Sequence, residues 1–376
     1  MNNQSGKIYV GFLKKTEAEQ LASFYRDIYS PKHILLRREF FDWYTQTPLA
    51  KKFFKSNELP VLVVKEGKRV IGHSICQPTL FNYFGQPFSM FWISNWAVLP
   101  EFRSRGLSGF LIKALREQPV DVISANMVTP EVRRLLEYSG FAYQNLNRYL
   151  GIFSAEAALL AAQPARTEIK EKIKAAVIVN GGGNQIFSSI RKTQIFEDDW
   201  NRFWRSTLAP EALGPTRSAE FLNWRYSRDP FFRYEKFTIY DRQNRIQGAL
   251  VLRIEAIVNT SARACRLLEL LVAPDALSQA LSFLLDYSHR QKCWFLDFYN
   301  LNSRFDQEFA AFGILKNDPV LSTALPRLTQ PIAHENWFIN AVFLKQNSAI
   351  ANEDFLNFDR WYTTSGDADQ DRKNFS

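Results

Sequence analysis

At 376 residues, the chain is long for one compact domain and sufficient for two. Its 46% hydrophobic and 23% charged residues are typical of a globular protein and exclude disorder over most of its length. The net charge of +9 favours an anionic ligand, but lysine and arginine alternate with acidic residues, so no basic arm for nucleic acid is predicted.

Neither membrane insertion nor secretion is predicted. No segment approaches the roughly 18 uncharged apolar residues of a membrane helix. Residues 1–5 lack the basic and apolar regions of a signal peptide. The three cysteines, Cys76, Cys265 and Cys293, are widely spaced and form no disulfide or metal-binding pattern. We therefore expect a cytoplasmic protein without a metal site.

The first part of the chain alternates strand and helix patterns. The predicted order is strand (7–13), helix (16–28), helix (33–44), strands (60–65, 69–76 and 88–98), helix (106–117), strand (120–125), helix (130–138) and a last strand region (141–153). Hairpins come first and helical crossovers later. This order predicts an α/β domain with a mixed sheet.

The second half repeats landmarks of the first in the same order. The corresponding segments are 40–44 and 221–226, 98–101 and 272–275, 120–125 and 293–298, and 140–141 and 313–314. Repeated landmarks at matching spacing indicate two copies of one fold in tandem. We divide the chain into a first domain (1–155), a second domain with its linker (156–348) and a C-terminal tail (349–376). The triple glycine at 181–183 is interpreted as a hairpin turn.

A turn between a predicted strand and helix carries the clearest functional signal. Residues 103–109 read Arg-Ser-Arg-Gly-Leu-Ser-Gly and open an amphipathic helix. The first turn of a helix has unpaired N–H groups and a partial positive charge, which suit a diphosphate. Gly106 and Ser108 are small enough to let a phosphate approach the backbone, while Arg103 and Arg105 add positive charge.

This turn resembles the signature of the GNAT acyltransferase superfamily. That signature has arginine or glutamine, two residues, glycine, one residue, and then glycine or alanine. Arg103, Gly106 and Ser108 meet it, with serine as a small departure. The strand before the turn and the Gly140-Phe141 pair that ends a later helix also resemble the family.

The resemblance implies both the fold and the cosubstrate site. We expect two tandem GNAT-fold domains of the α/β class with mixed, splayed central sheets, the second being degenerate. In the first domain, strands at 94–98 and 120–125 would hold the pantetheine arm of acyl-CoA between them. The expected cosubstrate-binding residues are Trp96, Ala97, Val98, Arg103, Ser104, Arg105, Gly106, Leu107, Ser108 and Gly109.

The chain departs from the family pattern at the residue that would protonate the leaving thiolate. Many relatives carry tyrosine four residues before the glycine of the Gly-Phe pair, where this chain has Leu136. Tyr138 lies about 200° further round the predicted helix and would not face the same way. Either another residue or water then protonates the thiolate.

Three residues are candidates for the remaining catalytic roles. His73 lies on a strand beside the expected site, and its ordinary pKa suits proton transfer near neutrality, with a structural role as the alternative. Glu101, just before the turn, is a second candidate base, unless it pairs with a nearby arginine. Asn95 could orient the acceptor, hydrogen-bond the thioester carbonyl, or support the fold.

The second copy lacks the turn. Leu107 follows Pro100 by seven residues, but Leu277 follows Pro274 by only three. We therefore expect this half to shape the acceptor site or stabilise the first half rather than to bind acyl-CoA in the usual way. Residues that could line an acceptor cleft, or pack on the core instead, are Trp224, Arg225 and Tyr226.

The C-terminal residues 366–372 alternate acidic with other residues. They lack the central glycine and final glutamate of an EF-hand, so a calcium loop is not supported. One interpretation is a solvated tail. The other is a segment anchored by the aromatic residues before it, whose carboxylates bind an ammonium group or act as a base in the acceptor cleft.

The sequence thus predicts an enzyme, an acyl-CoA-dependent N-acyltransferase acting on a small molecule. We expect an amine of an amino sugar, free or nucleotide-linked, because segments 221–226 and 366–372 resemble bacterial acyltransferases associated with surface polysaccharide synthesis. One alternative is a Fem-like aminoacyltransferase that uses aminoacyl-tRNA, against which the intact turn argues. The other is a non-catalytic binding module on a GNAT scaffold.

Overall fold

The structure is a computed structural model that describes residues 8–160, 167–178, 189–257, 259–326 and 339–367. The predicted hairpin turn at 181–183 and most of the acidic segment 366–372 lie outside these ranges. None of the described helices is long and apolar enough to cross a membrane.

The first part of the chain forms seven strands and five helices within its described residues. In order, these are β1 (Ile8–Lys14), α1 (Ala18–Ile28), α2 (Arg38–Thr45), α3 (Ala50–Phe53), β2 (Glu58–Glu66), β3 (Arg69–Tyr83), β4 (Gln86–Val98), α4 (Leu107–Arg116), β5 (Val122–Asn126), α5 (Pro130–Tyr138), β6 (Ala142–Asn145) and β7 (Asn147–Ile152). The predicted helix at 106–117 is confirmed.

The remaining described elements repeat this alternation. They are α6 (Thr167–Ala175), β8 (Ile190–Lys192), α7 (Asp198–Phe203), β9 (Leu213–Pro215), α8 (Ala219–Leu222), β10 (Glu235–Tyr240), β11 (Ile246–Ala256), β12 (Arg263–Val272), α9 (Leu277–Arg290), β13 (Phe295–Asn300), α10 (Asp306–Ala311), β14 (Leu315–Lys316), α11 (Leu321–Ala324), β15 (Asn340–Lys345) and α12 (Asn352–Phe355). A π-helical turn, Asn223–Ser227, extends α8.

Two mixed sheets organise the fold. The first has the order β1-β2-β3-β4-β5-β15-β6, with β9 added beside β3, and the second has the order β14-β7-β13-β12-β11-β10-β8. Each contains one parallel pair at its centre, β4 with β5 and β12 with β13. The prediction of an α/β fold with two mixed, splayed sheets is confirmed.

The two halves exchange a strand. β7 comes from the first part of the chain but pairs with β13 in the second sheet, where Phe295 lies opposite Ile152. β15 comes from the second part but pairs with β5 in the first sheet, where Phe343 lies opposite Ser124. Each sheet therefore contains strands from both sides of the boundary expected between residues 155 and 156.

The helices pack on the first sheet through narrow apolar faces. α1 buries Leu21, Phe24 and Tyr25, and α4 buries Leu107 and Leu111. These residues recur every three or four positions, which places them on one side of each helix. They join the side chains of the first sheet in one hydrophobic cluster that holds α4, and hence the turn before it, against the strands.

Candidate functional site

The two central strands of the first sheet separate beside the turn. Parallel pairing of β4 with β5 reaches only as far as Trp92 and Ser124, whereas β4 continues to Val98. Beyond the last pair, Asn95 adopts a left-handed backbone with φ of 53° in a β-bulge. The polar backbone groups that follow on this edge of β4 are not paired by β5, so a V-shaped opening lies between the strands.

The turn at 103–106 leads from this opening into α4. Ser104 and Gly106 have φ of 69° and 72°, and Gly106 caps the helix. A Cβ added at Gly106 or Gly109 would meet no atom within 4 Å, so the first turn of α4 faces open space. The N–H of Gly109 donates to the Gly106 carbonyl at 2.9 Å, whereas Leu107 and Ser108 come too early in the helix to have an intrahelical acceptor. The helix start also carries a partial positive charge, which suits a phosphate.

The edge of β4 and the start of α4 form one continuous surface. The indole Nε1 of Trp96, on β4, donates to the hydroxyl of Ser108 at the start of α4, with 3.4 Å between the two atoms. The Nε of Arg103 donates to the Val98 carbonyl at 3.2 Å, tying the turn to the end of the strand. The side chain of Arg105 is exposed beside them. Among the ten residues predicted to bind the cosubstrate, Leu107 and Val98 bury their side chains in the core, so only their backbone groups face this surface.

The structure buries His73, which favours the structural alternative to a role as base. Its side chain is fully buried, in edge contact with the rings of Phe24 and Tyr25 on α1. Within the described ranges neither ring nitrogen has a hydrogen-bond partner. Burial lowers the pKa of His73 to about 3. A neutral imidazole closed off from solvent packs the core rather than relaying protons.

Glu101 and Asn95 lie at opposite ends of the open edge. Glu101 is exposed and forms a 2.7 Å ion pair with Arg69, the alternative that the sequence left open. Backbone hydrogen bonding and this arginine hold the pKa of Glu101 below its usual value. The side-chain Nδ2 of Asn95 donates to the Ser94 hydroxyl at 3.3 Å, and the backbone carbonyl of Asn95 accepts from the Tyr29 hydroxyl. A catalytic role for either side chain stays a prediction.

In many GNAT enzymes the helix equivalent to α5 carries a tyrosine, but here α5 places no tyrosine at the opening. Leu136 is fully buried in the core, whereas Tyr138 is 94% exposed and projects from the opposite side of α5. The geometry agrees with the rotation expected from the helical repeat. Tyr138 therefore does not replace the missing acid.

In the second sheet, the chain itself fills the corresponding opening. Pairing of β12 with β13 ends at Leu267 and Phe298, although β12 continues to Val272. The hydroxyl of Tyr362 accepts the Leu270 N–H at 2.9 Å within this gap. Thr364 bridges to the end of β13. The helix α9 follows directly on a short 3-10 turn, without the glycine turn that precedes α4.

The same C-terminal segment completes a buried ionic cluster between the halves. The guanidinium of Arg217 lies 3.0 Å from Glu269 and 2.7 Å from Asp367, and all three side chains are fully buried. The hydroxyls of Tyr226 and Tyr362 both donate to Glu269. Burial raises the pKa of Glu269, against the opposing effect of Arg217. Two carboxyl groups thus share one guanidinium.

This cluster reaches the end of β5. The Nδ2 of Asn126 lies 3.5 Å from the backbone carbonyl of Asp367. Among the residues that the structure describes, the Oδ1 atoms of Asn126 and Asp367 and the hydroxyl of Ser365 are buried without a hydrogen-bond partner. Such atoms are costly unless a water or ligand satisfies them.

The aromatic segment of the second half packs between the sheets. Trp224, Arg225 and Tyr226 are all buried in the π-helical turn. Arg225 donates to the Gly366 carbonyl at 2.9 Å and so holds the C-terminal segment in place. These residues support the interface rather than form an open cleft. In the described part of the chain, no group of three or more His, Cys, Asp and Glu side chains could hold a metal ion.

Comparison with known proteins agrees with this geometry. Residues 19–128 match the model of the Acetyltransferase (GNAT) family, a range that includes the turn and both central strands. No curated protein sequence matches the chain. The match covers the part of the chain that contains the site and supports the predicted resemblance to GNAT acyltransferases there.

Solved structures share the fold over most of the chain. A protein of unknown function from Enterococcus faecalis V583, described as a probable N-acyltransferase, aligns with a TM-score of 0.57 and 12% identity over 90% of this chain and 72% of its own. A GCN5-related N-acetyltransferase from Anabaena variabilis gives 0.54 and 12% over 91% and 73%. Saccharomyces cerevisiae N-myristoyltransferase with bound myristoyl-CoA gives 0.51 and 12% over 94% and 87%. At these identities the likeness shows the fold.

Sequence reasoning missed Tyr29 and left the part played by the C-terminal segment open. Tyr29 lies at the bulge of β4 because α1 ends there, and no local pattern indicates that contact. The C-terminal segment places Asp367 in the interface between the halves. An anchored segment was only one of the two interpretations of the alternating acidic residues. Both contacts join residues far apart in the chain.

Proposed function

We propose that the protein is an acyl-CoA-dependent N-acyltransferase with one donor site in the first sheet. The observation that carries the proposal is the meeting of two features at one place. The edge of β4 beyond its last pair with β5, at Trp96 to Val98, leads directly to the open, positively charged start of α4. An extended chain with amide groups that ends in a diphosphate matches both.

Each part of the surface would bind a different part of the donor. The N–H groups of the first turn of α4 and the guanidinium of Arg105 would bind the diphosphate. Backbone groups of Trp96 to Val98 would pair with the amides of the pantetheine arm as an added strand would. The thioester then lies near the Asn95 bulge, where N–H groups can polarise its carbonyl.

An amine is the acceptor that the buried cluster favours. Two carboxyl groups, from Glu269 and Asp367, share the single guanidinium of Arg217. Unpartnered oxygens of Asn126 and Asp367 lie beside the end of β5, where the acceptor must approach the thioester. A protonated amine would supply both donors and the balancing charge. We propose an amino sugar, free or nucleotide-linked, as this acceptor.

The two rival functions make different demands on the turn. An aminoacyltransferase of the Fem type would use aminoacyl-tRNA and would not need a site for the diphosphate of CoA. A non-catalytic module would bind acyl-CoA without releasing thiol. The open turn favours a donor of the CoA class over aminoacyl-tRNA. A measurement of turnover distinguishes an acyltransferase from a non-catalytic module.

Calorimetric titration with acetyl-CoA tests the donor site. We expect saturable binding that Arg103→Glu combined with Gly106→Glu abolishes, because the pair reverses charge and blocks the helix start. Lys113→Glu, a charge reversal further along the same helix, is the matched control and should bind as the unmodified protein does. Wild-type protein that binds no acetyl-CoA would refute the proposal.

Release of free thiol then tests catalysis. With acetyl-CoA bound, glucosamine and other amino sugars are the probe acceptors, and N-acylation is checked by mass spectrometry. Asp367→Asn should raise KM for the amine without changing the affinity for acetyl-CoA. Equal KM values in both proteins would remove Asp367 from the acceptor site.

A further inference from the structure

Tyr29 lies at the point where the donor opening begins. It directly follows α1, and its hydroxyl donates to the backbone carbonyl of Asn95 at 3.3 Å. Asn95 is the left-handed residue of the bulge, just beyond the last pair that joins β4 to β5. Tyr29 is 36% exposed, so part of this residue is open to solvent.

The ring of Tyr29 is held in one orientation by its neighbours. It stacks on His33 with ring centroids 4.2 Å apart and planes inclined by 16°. The Nδ1 of His33 accepts the Leu35 N–H at 3.4 Å, which fixes the imidazole. The centroids of the Tyr25 and His73 rings lie 6.0 and 6.5 Å from that of Tyr29. A braced phenol of this kind is pre-organised for hydrogen bonding.

Acyl transfer from a thioester needs a donor for the leaving sulfur, and α5 offers none. Leu136 is buried and Tyr138 projects into solvent. A phenol can protonate a thiolate, because its pKa is close to that of an alkyl thiol. We propose that Tyr29 is the catalytic acid of the proposed function, supplied by α1 instead of α5.

The proposed step balances as follows. The amine nitrogen forms a bond to the acyl carbon, and the carbon–sulfur bond breaks with its electron pair going to sulfur. Tyr29 transfers its hydroxyl proton to that sulfur. The extra proton on the new amide nitrogen passes to water, and water returns a proton to Tyr29. Rotation of the hydroxyl about its C–O bond moves the hydrogen from the Asn95 carbonyl towards the sulfur.

Binding of free CoA tests the assignment without an acceptor. A hydroxyl that donates to the thiolate favours the charged form and lowers the pKa of the bound thiol. We would titrate the thiolate absorbance of bound CoA with pH, as the difference between protein with and without CoA. Tyr29→Phe removes the donor and keeps the ring, and Tyr138→Phe is the matched control.

The expected result is a thiol pKa that is about one to two pH units higher in Tyr29→Phe than in wild type, as for a hydrogen bond to a charged group. Tyr138→Phe should match wild type, and CoA affinity by calorimetry should change less than about twofold. Equal thiol pKa values in Tyr29→Phe and wild type would overturn the assignment. So would a loss of CoA affinity in Tyr29→Phe, which would give Tyr29 a structural role at the bulge. Wild-type protein that binds no CoA refutes the proposed function itself, and this inference with it.

Discussion

The indole N–H of Trp43 donates to the backbone carbonyl of Trp224 at 2.9 Å, and the indole N–H of Trp224 donates to the carbonyl of Trp43 at 3.1 Å. Their rings stack with centroids 5.4 Å apart. The two residues occupy the same position in the repeated segments at 40–44 and 221–226. A reciprocal contact between equivalent residues is what a two-fold relationship between two copies produces.

This pair should stabilise the contact between the halves cooperatively. Trp43→Phe or Trp224→Phe leaves a partly buried carbonyl without its donor, and each should lower the free energy of unfolding by about 1 kcal/mol. Urea denaturation of both single variants and the double variant measures the coupling. We expect a coupling energy of about 0.5 kcal/mol or more, since the residues are in direct contact. Strict additivity would contradict the cooperative interpretation.

His73 should make stability depend on pH in the acidic range. Its pKa is about 3 in the folded protein against 6.5 as the ordinary value. Between these values the unfolded chain binds more protons, so the free energy of unfolding rises with pH by up to about 1.4 kcal/mol per unit. In His73→Phe this contribution is lost.

The measurement compares urea unfolding at two pH values. From pH 4.5 to pH 6.5 the stability of wild type should increase by about 2 kcal/mol more than that of His73→Phe. Carboxyl groups titrate in both proteins, so their effect cancels in the difference. Parallel pH profiles would show that His73 is not held neutral by burial.

Gly106 should combine a conformational requirement with a binding role. Gly106→Ala forces alanine into a left-handed backbone, which costs about 1 kcal/mol of stability. The added methyl group also obstructs the start of α4, so acetyl-CoA affinity should fall at least about tenfold, a 1.4 kcal/mol loss.

The hairpin glycine Gly67 provides the control for that variant. Its φ is 61°, and an added Cβ would also meet nothing within 4 Å. Gly67→Ala should therefore show the same loss of stability with unchanged acetyl-CoA affinity. If both variants bind acetyl-CoA equally, the start of α4 is not the diphosphate site.

Tyr362 should be one of the interface positions where a substitution lowers the free energy of unfolding most. Tyr362→Phe removes the acceptor of the Leu270 N–H and one donor to Glu269, both buried. The free energy of unfolding should fall by about 2 to 4 kcal/mol, because two buried polar groups lose partners.

Tyr143→Phe is a suitable comparison for Tyr362→Phe. Its hydroxyl bonds to Asn145 at 2.6 Å but lies where water can replace the contact. Its loss should therefore cost no more than about 0.5 kcal/mol. A cost for Tyr362→Phe as small as this would mean that the C-terminal segment does not fill the second opening tightly.

Local patterns predicted the elements but not their partners. The strand region at 141–153 was expected as one unit of the first domain. In the structure it breaks at Leu146 into β6 in the first sheet and β7 in the second. Alternation along a strand identifies which side is apolar, but it does not select the neighbouring strand, because pairing depends on backbone groups that every residue has.

Sequence patterns sufficed to predict the turn at 103–109 and the amphipathic helix after it, and to identify the repeated landmarks, because these depend on residues that are neighbours in the chain. Spacing alone also predicted that no comparable turn precedes Leu277, because Leu277 follows Pro274 by only three residues. Three-dimensional packing was needed to reveal the exchange of β7 and β15, the burial of His73, and the positions of Tyr29 and Asp367. Those are set by packing between segments up to hundreds of residues apart, where geometry and exclusion of water, and not local preference, select the contact.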